Sequence, residues 1–285
     1  MNNKIHLVEC PRDAMQGWKK FISTDKKIEY LNALLKVGFD TIDFGSFVSA
    51  KAIPQMADTK EVIGQLSMIN TKSKLLAIVA NVRGAEEAIK FDKISYLGFP
   101  FSISSTFQQR NTNSTIQESL QRVENIQNLC IGNSKKLVVY ISMGFGNPYG
   151  DVYNEEIVMH WVDKIKDLGI KIISIADTVG LASPDEILST MKNLISKNLD
   201  IEIGVHLHST VTNWKTKIDA ALQAGCKRFD GALKGIGGCP MATDELVGNI
   251  NSELMISYFE EKELLPQIDR EALQHALFLA NKIFM

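Results

Sequence analysis

Eight short runs rich in β-branched and apolar residues recur along the whole of this 285-residue chain: Ile5 to Val8, Thr41 to Phe44, Leu75 to Val79, Ile94 to Leu97, Leu137 to Ile141, Lys171 to Ile175, Ile201 to His206 and Arg228 to Leu233. Between them apolar residues return at helical spacing, as in Ile116, Leu120, Val123, Ile126 and Leu129, or Ile157, Trp161, Ile165 and Leu168. Thr115 with Glu118 and Ser183 with Glu186 read as capping boxes, and Pro184 takes the favoured first-turn position. Unbroken alternation of strand and helix implies a parallel sheet. Eight units without a reversal predict closure into a (β/α)8 TIM barrel, an α/β fold, as a single catalytic domain over residues 1–285. Extra C-terminal helices are expected near Glu245 to Glu260 and Arg270 to Ile283. The polar stretch from Gly98 to Asn113 reads as the longest loop.

Composition narrows the function classes. With 31 basic against 33 acidic residues and a net charge of -2, the chain carries no electrostatic footprint for nucleic acid, and a small-molecule partner is expected. No window approaches eighteen apolar residues and no leader pattern opens the chain, which argues against membrane insertion and secretion. Cys10, Cys130, Cys226 and Cys239 form no CxxC pair, so reduced thiols in a cytoplasmic protein are expected.

The polar residues at the strand ends carry the chemistry. Arg12 and Asp13 follow the first strand, Asp43 lies on the second, Asn81 follows the third and Ser142 ends the fifth. Asp177 follows the sixth, and His206 and His208 close the seventh. In a (β/α)8 barrel these C-terminal ends converge on one face. His206 and His208, two apart on a strand, point the same way and can share one ion, with Asp13 adding a carboxylate. Such mixed nitrogen and oxygen donors suit Mg²⁺, Mn²⁺, Zn²⁺ or Co²⁺. Arg12 offers a fork of donors to a developing oxyanion, or a salt bridge at the barrel rim. Asp177 is a base, an outer carboxylate or a turn residue. Cys239 sits in a glycine-rich loop that could close over a ligand, though buried structural cysteines are common.

At these residues the sequence resembles the 3-hydroxy-3-methylglutaryl-CoA lyase family, a group of metal-dependent barrel enzymes related to isopropylmalate and homocitrate synthases. The likeness spans nearly the whole chain. Pro11-Arg12-Asp13-Ala14-Met15-Gln16 matches the family's Pro-Arg-Asp-Gly-Leu-Gln. The stretch Asp43 to Ser49 with Pro54-Gln55-Met56 is similar to its second-strand segment, which has Glu in place of Asp43. Ala176-Asp177-Thr178-Val179-Gly180, Val205-His206-Leu207-His208 and Gly235-Ile236-Gly237-Gly238-Cys239-Pro240 match three further signatures.

The resemblance implies a carbon–carbon lyase that cleaves a 3-hydroxy-3-methylacyl-CoA to acetyl-CoA and a keto acid such as acetoacetate. The divalent ion, with Mg²⁺ or Mn²⁺ favoured over Zn²⁺ or Co²⁺, would be held by Asp13, His206 and His208. Arg12, Asp43, Asp177 and Cys239 would be catalytic and Gln16 substrate-binding. Partners would be an acyl-CoA or hydroxy acid, with neither nucleic acid nor membrane and with assembly left open, a homodimer included. The family places a metal-ligating Asn after Gly-Gly-Cys-Pro and before Ala-Thr-Glu-Asp-Leu. Here Ala242-Thr243-Asp244-Glu245-Leu246 follows almost at once, so the resemblance reads the Asn ligand as missing, with Asn249 and Asn251 on the following helix. A weakly held ion and slow turnover follow from that reading. The alternatives are a related condensing enzyme or aldolase, disfavoured by the chain's end at Met285, and a weakened barrel that only binds a CoA ester. An amidohydrolase would carry its His-x-His on the first strand.

Overall fold

The computed structural model describes residues 4–238 and 247–285. Strands β1 (His6–Glu9), β2 (Thr41–Ser46), β3 (Lys74–Ile78), β4 (Ile94–Ser102), β5 (Lys136–Ser142), β6 (Ile172–Asp177), β7 (Glu202–Ser209) and β8 (Arg228–Gly231) pair in chain order, every pair parallel. β1 also pairs β8, from His6↔Arg228 to Glu9↔Gly231, and this closes the barrel. Closure removes every free edge from the parallel sheet.

The helices are α1 (Pro11–Gln16), α2 (Thr24–Val37), α3 (Thr59–Gln65), α4 (Val82–Ala88), α5 (Ser105–Thr112), α6 (Ile116–Gly132), α7 (Glu155–Asp167), α8 (Pro184–Lys197), α9 (Trp214–Gln223), α10 (Ser252–Glu261) and α11 (Arg270–Ile283). Both capping boxes form, at Thr115 with Glu118 and at Ser183 with Glu186, so the first turns of α6 and α8 satisfy their own amide donors. The main core lies between strands and helices, where residues such as Leu34, Ile42, Phe99, Val139, Val162 and Leu194 are buried. A smaller set, Leu76, Ile78, Val138, Tyr140 and Ile172, fills the barrel interior.

Two segments depart from the sequence reading. The stretch from Gly98 to Asn113 is not one loop. β4 runs on to Ser102 with Phe99 and Phe101 buried, and the missing side chain of Gly98 leaves room for Ile78, whose Cδ1 would stand 2.6 Å from a Cβ there. The polar residues that follow form α5, capped by Ser104, and the Asp151 carboxylate accepts from the Thr106 amide at 2.9 Å. At the other end, the helix expected from Glu245 begins only at Ser252. Before it lies a short strand, β9 (Gly248–Asn249), antiparallel to β7 with Asn249 opposite His208.

Glu9 ties this C-terminal segment to the barrel. One carboxylate oxygen accepts from the Leu233 amide at 2.8 Å and the other from the Ser252 hydroxyl at 2.5 Å, joining β1 to the chain on both sides of residues 239–246. Burial pushes its carboxyl up to about 8, while those two hydrogen bonds pull the other way. A raised folded-state value means that Glu9's contribution is complete below its ordinary value of 4.5 and is lost as pH rises through about 8. Glu9→Gln keeps one acceptor oxygen for the Leu233 amide, turns the contact with Ser252 into an amide N–H donating to the hydroxyl, and removes the titration. Between those limits the variant should gain on the native protein by up to about 1.4 kcal/mol per pH unit. Denaturant unfolding of both proteins across this range checks it; a stability difference independent of pH would contradict it.

Candidate metal centre

The chain leaves β1 at Cys10 and turns at once into α1, with Pro11 at its first position, so Arg12 and Asp13 are carried over the C-terminal mouth of the barrel. Both side chains are buried. The Arg12 fork is almost fully engaged: Nε donates to Asp43 at 3.0 Å, Nη2 ion-pairs with Asp43, and Nη1 donates to Asp13 at 3.0 Å and to Gln16 Oε1 at 2.8 Å. Gln16 in turn donates to Asp13 Oδ1 at 2.9 Å. One Nη2–H therefore has no protein acceptor among the described residues. Burial alone would push Asp13 up, but Arg12, His206 and His208 outweigh it and hold the carboxyl down at about 2. At Asp43 burial prevails over Arg12 and raises the carboxyl to about 6.

His206 and His208 project from β7 on the same side. His208 Nδ1 lies 2.9 Å from the Thr178 carbonyl, which can only accept, so Nδ1 carries the proton and the Nε2 lone pair is free. His208 Nε2 is buried and meets no protein partner. Burial, helped by His206, pushes this imidazole down to about 4, so it is neutral at physiological pH. His206 Nδ1 lies 3.1 Å from Asp230 Oδ2, the carboxylate–histidine pairing that orients a metal-binding imidazole. Burial would lower His206, yet the Asp230 carboxylate raises it overall. Ligand atoms of Asp13, His206 and His208 all lie within 4.8 Å of one another.

Asn249 completes the group and corrects the sequence reading. Its Nδ2 donates to Asp13 Oδ2 at 2.7 Å and to the Ile236 carbonyl at 2.9 Å, and its buried Oδ1 meets no protein partner. An Asn is thus present beside Asp13, delivered by β9. Gly248 makes this possible, because a Cβ there would stand 2.1 Å from the Gly235 carbonyl oxygen. Matching Ala242 to Leu246 with the family's Ala-Thr-Glu-Asp-Leu had displaced Asn249 onto a helix; the usable signal was Gly248-Asn249 just ahead of the Asn251 cap.

This donor set fits a divalent cation. It offers one carboxylate, two imidazoles presenting Nε2 and an amide oxygen, the mixture that such ions accept. A buried polar atom without a partner costs about 1–3 kcal/mol, and His208 Nε2 and Asn249 Oδ1 are two such atoms beside Asp13.

Asp177 stands apart from this cluster. Its carboxylate takes Lys217 Nζ at 2.6 Å and the Ala182 amide at 3.2 Å, while Lys217 also donates to the carbonyls of His208 at 2.9 Å and Gly180 at 3.1 Å. The pair locks the β6 loop to the end of β7. Lys217 and Asp230 are site-supporting residues that the sequence reading did not single out. Their signals were a lysine on the buried face of α9 beside Ala220 and Ala221, and an acidic residue within the buried β8. Cys239 lies outside the described residues. A cavity of about 450 Å³ opens beside β2 and α4, lined by Ser46, Val48, Met56, Asn81 and Arg83 among others. None of Asp13, His206 and His208 lines it; their donor atoms cluster at the barrel mouth instead.

A closed parallel barrel with a clustered carboxylate, two oriented imidazoles and an arginine fork at its C-terminal face has the frame of a barrel enzyme with a cation site. The chain belongs to the HMGL-like family, whose model matches residues 5–279. It is 30% identical over 253 residues to the cytoplasmic 3-hydroxy-3-methylglutaryl-CoA lyase of Rattus norvegicus, covering 88% of this chain and 73% of that one. It is also 29% identical over 273 residues to the (R)-citramalyl-CoA lyase of Chloroflexus aurantiacus, covering 93% and 86%. Among solved structures, an HMG-CoA lyase from Acinetobacter baumannii in complex with coenzyme A and 3-methylmalate superposes with a TM-score of 0.91 at 30% identity, covering 100% of this chain and 92% of that one.

If Asn249 helps to hold the ion, Asn249→Ala should weaken Mn²⁺ binding to chelator-stripped protein by about tenfold, and His208→Ala by more. Calorimetric titration measures both. Native-like affinity in Asn249→Ala would return the site to three protein ligands.

Proposed function

We propose that this chain is a divalent-metal-dependent carbon–carbon lyase acting on 3-hydroxy-3-methylglutaryl-CoA or a close 3-hydroxyacyl-CoA relative. The observation that carries the reading is the Arg12 fork, with one N–H left open, directly beside the Asp13, His206 and His208 donor set in a chain of this family. The names of the relatives support the substrate class. Mg²⁺ or Mn²⁺ is the proposed ion, with Zn²⁺ and Co²⁺ compatible with the same donors, and Asp13, His206, His208 and Asn249 would hold it. Bound there, it supplies Lewis acidity and a template for the substrate oxygens.

In the proposed cleavage the 3-hydroxyl loses its proton, the C2–C3 bond breaks, and its electron pair moves into the thioester as an enolate. C3 becomes the ketone of the departing keto acid, and a proton added at C2 completes acetyl-CoA. The open N–H of Arg12 would stabilise the oxygen on which charge develops, and the grip of Asp43 and Gln16 fixes the fork before reaction. Asp43, raised to about 6, is better matched than Asp13, held at about 2, to carry the hydroxyl proton near neutral pH. Asp177 acts through Lys217 by holding the β6 and β7 ends in place. Cys239 keeps its proposed role as the donor to C2.

With Asn249 beside Asp13, the argument for a weakened, binding-only barrel loses its main support. A citramalyl-type ester is the second substrate reading, favoured by the likeness to the citramalyl-CoA lyase. No helix among the described residues is long and apolar enough to cross a membrane. Cys10, Cys130 and Cys226 are buried free thiols, which suits the proposed cytoplasmic setting.

Arg12→Lys should leave Mn²⁺ affinity within a few-fold of native and lower kcat on 3-hydroxy-3-methylglutaryl-CoA by about 10² or more, because a compact ammonium cannot reproduce the planar fork. Steady-state kinetics with saturating Mn²⁺ measures this. An unchanged kcat would remove Arg12 from the chemistry.

A further inference from the structure

Beneath His206 the barrel interior holds a row of polar groups that the proposed cleavage does not use. Tyr140, Ser174, Gly204 and Arg228 are register neighbours across β5, β6, β7 and β8. The Tyr140 hydroxyl, the Ser174 hydroxyl, Arg228 Nε and Nη2, and Asp230 Oδ1 are all buried without a protein partner. Arg228 enters this row because Gly204 has no side chain: a Cβ there would stand 2.9 Å from Cβ, Cγ and Cδ of Arg228. Asp230 lies two residues further along the same face of β8, so donors and acceptor share one side of one strand. The other nearby anion, Glu202, is 4.0 Å from Arg228 Nη1 and already bonded to His6 at 2.6 Å.

We propose that Arg228 is a positioning residue for the metal centre, acting through Asp230 to hold the His206 imidazole with Nδ1–H fixed and Nε2 turned toward Asp13 and His208. A buried guanidinium without a counter-charge is strongly unfavourable, and Asp230 is the leading charge acting on it. Arg228 carries unpaired donors and Asp230 an unpaired acceptor two positions along the same face of β8, so the guanidinium and the free carboxylate oxygen are the available complement to each other's charge. The carboxylate then has one oxygen committed to His206 and the other to the Arg228 side. Asp230 cannot rotate away, so the imidazole cannot either. Outer partners of this kind commonly change metal affinity by about 10- to 100-fold.

This inference rests on the metal reading of the site, and the experiment separates the two. Chelator-stripped native protein, Arg228→Met and Arg228→Lys are titrated with Mn²⁺ by calorimetry, and the His206 Nδ1–H proton is followed by NMR in the metal-free proteins. Arg228→Met should bind Mn²⁺ about tenfold more weakly, with Arg228→Lys between it and native, and its Nδ1–H signal should lose protection from exchange. Gly204→Ala, which pushes the Arg228 stem aside without removing its charge, should shift both readouts the same way and guards against a folding failure of the Met variant. Mn²⁺ affinity within twofold of native and an unchanged Nδ1–H signal in these variants would overturn the proposal, as would a change confined to thermal stability. Native protein that takes up no Mn²⁺ while Arg228→Met still loses the protected proton would sink the metal reading and leave the positioning role standing.

Discussion

The Asp13 carboxylate is buried at the barrel mouth and shared among groups from distant parts of the chain. Arg12 and Gln16 hold Oδ1, and Asn249, 236 positions away in sequence, holds Oδ2. Removing a carboxylate from water is unfavourable by several kcal/mol unless opposite charge and hydrogen bonds replace the lost hydration. Arg12 supplies the charge, and His206 and His208 stand on the remaining side. Arg12 is a buried cation with the same problem, and Asp43 solves it. The site is therefore a chain of mutual compensation centred on Arg12, whose removal would leave both the Asp13 and the Asp43 carboxylates without the cation they pair with.

That chain explains several features of the fold. The early break from β1 into α1 at Pro11 carries Arg12 and Asp13 over the barrel mouth, where they meet β2 and β7. The antiparallel pairing of β9 with β7 brings the Asn249 amide to the carboxylate. Glu9 and the Asp177–Lys217 pair, each one step removed, hold the segments that deliver these groups. Polar groups buried around the mouth do the same work that apolar packing does between strands and helices.

Much of the fold was legible because its signals are local. Alternating apolar runs and helical spacings marked all eight parallel strands, and two capping boxes marked helix starts that the structure retains. His206-x-His208 and Arg12-Asp13 were legible for the same reason, since strand alternation and a strand-to-helix turn fix where such pairs point. Longer-range features were not. The fourth strand read as ending at Leu97 with a loop from Gly98, but it continues to Ser102, with Gly98 packed closely against Ile78 and Leu76. Asn249 was assigned to a helix by a local match, whereas its place depends on pairing with His208. Lys217 acts through contacts with Asp177 and the His208 and Gly180 carbonyls and Asp230 through His206, and one sequence read alone gives little notice of such contacts.

The central claim is that this site breaks a carbon–carbon bond and protonates the resulting enolate. Incubating the Mn²⁺-loaded protein with 3-hydroxy-3-methylglutaryl-CoA in D₂O, and resolving the products by mass spectrometry, tests it directly. The account predicts acetyl-CoA and acetoacetate in equal amounts, with one solvent deuteron in the acetyl methyl group and no cleavage after the ion is stripped. Free coenzyme A without acetyl-CoA, or intact substrate under conditions where Mn²⁺ is bound, would contradict it.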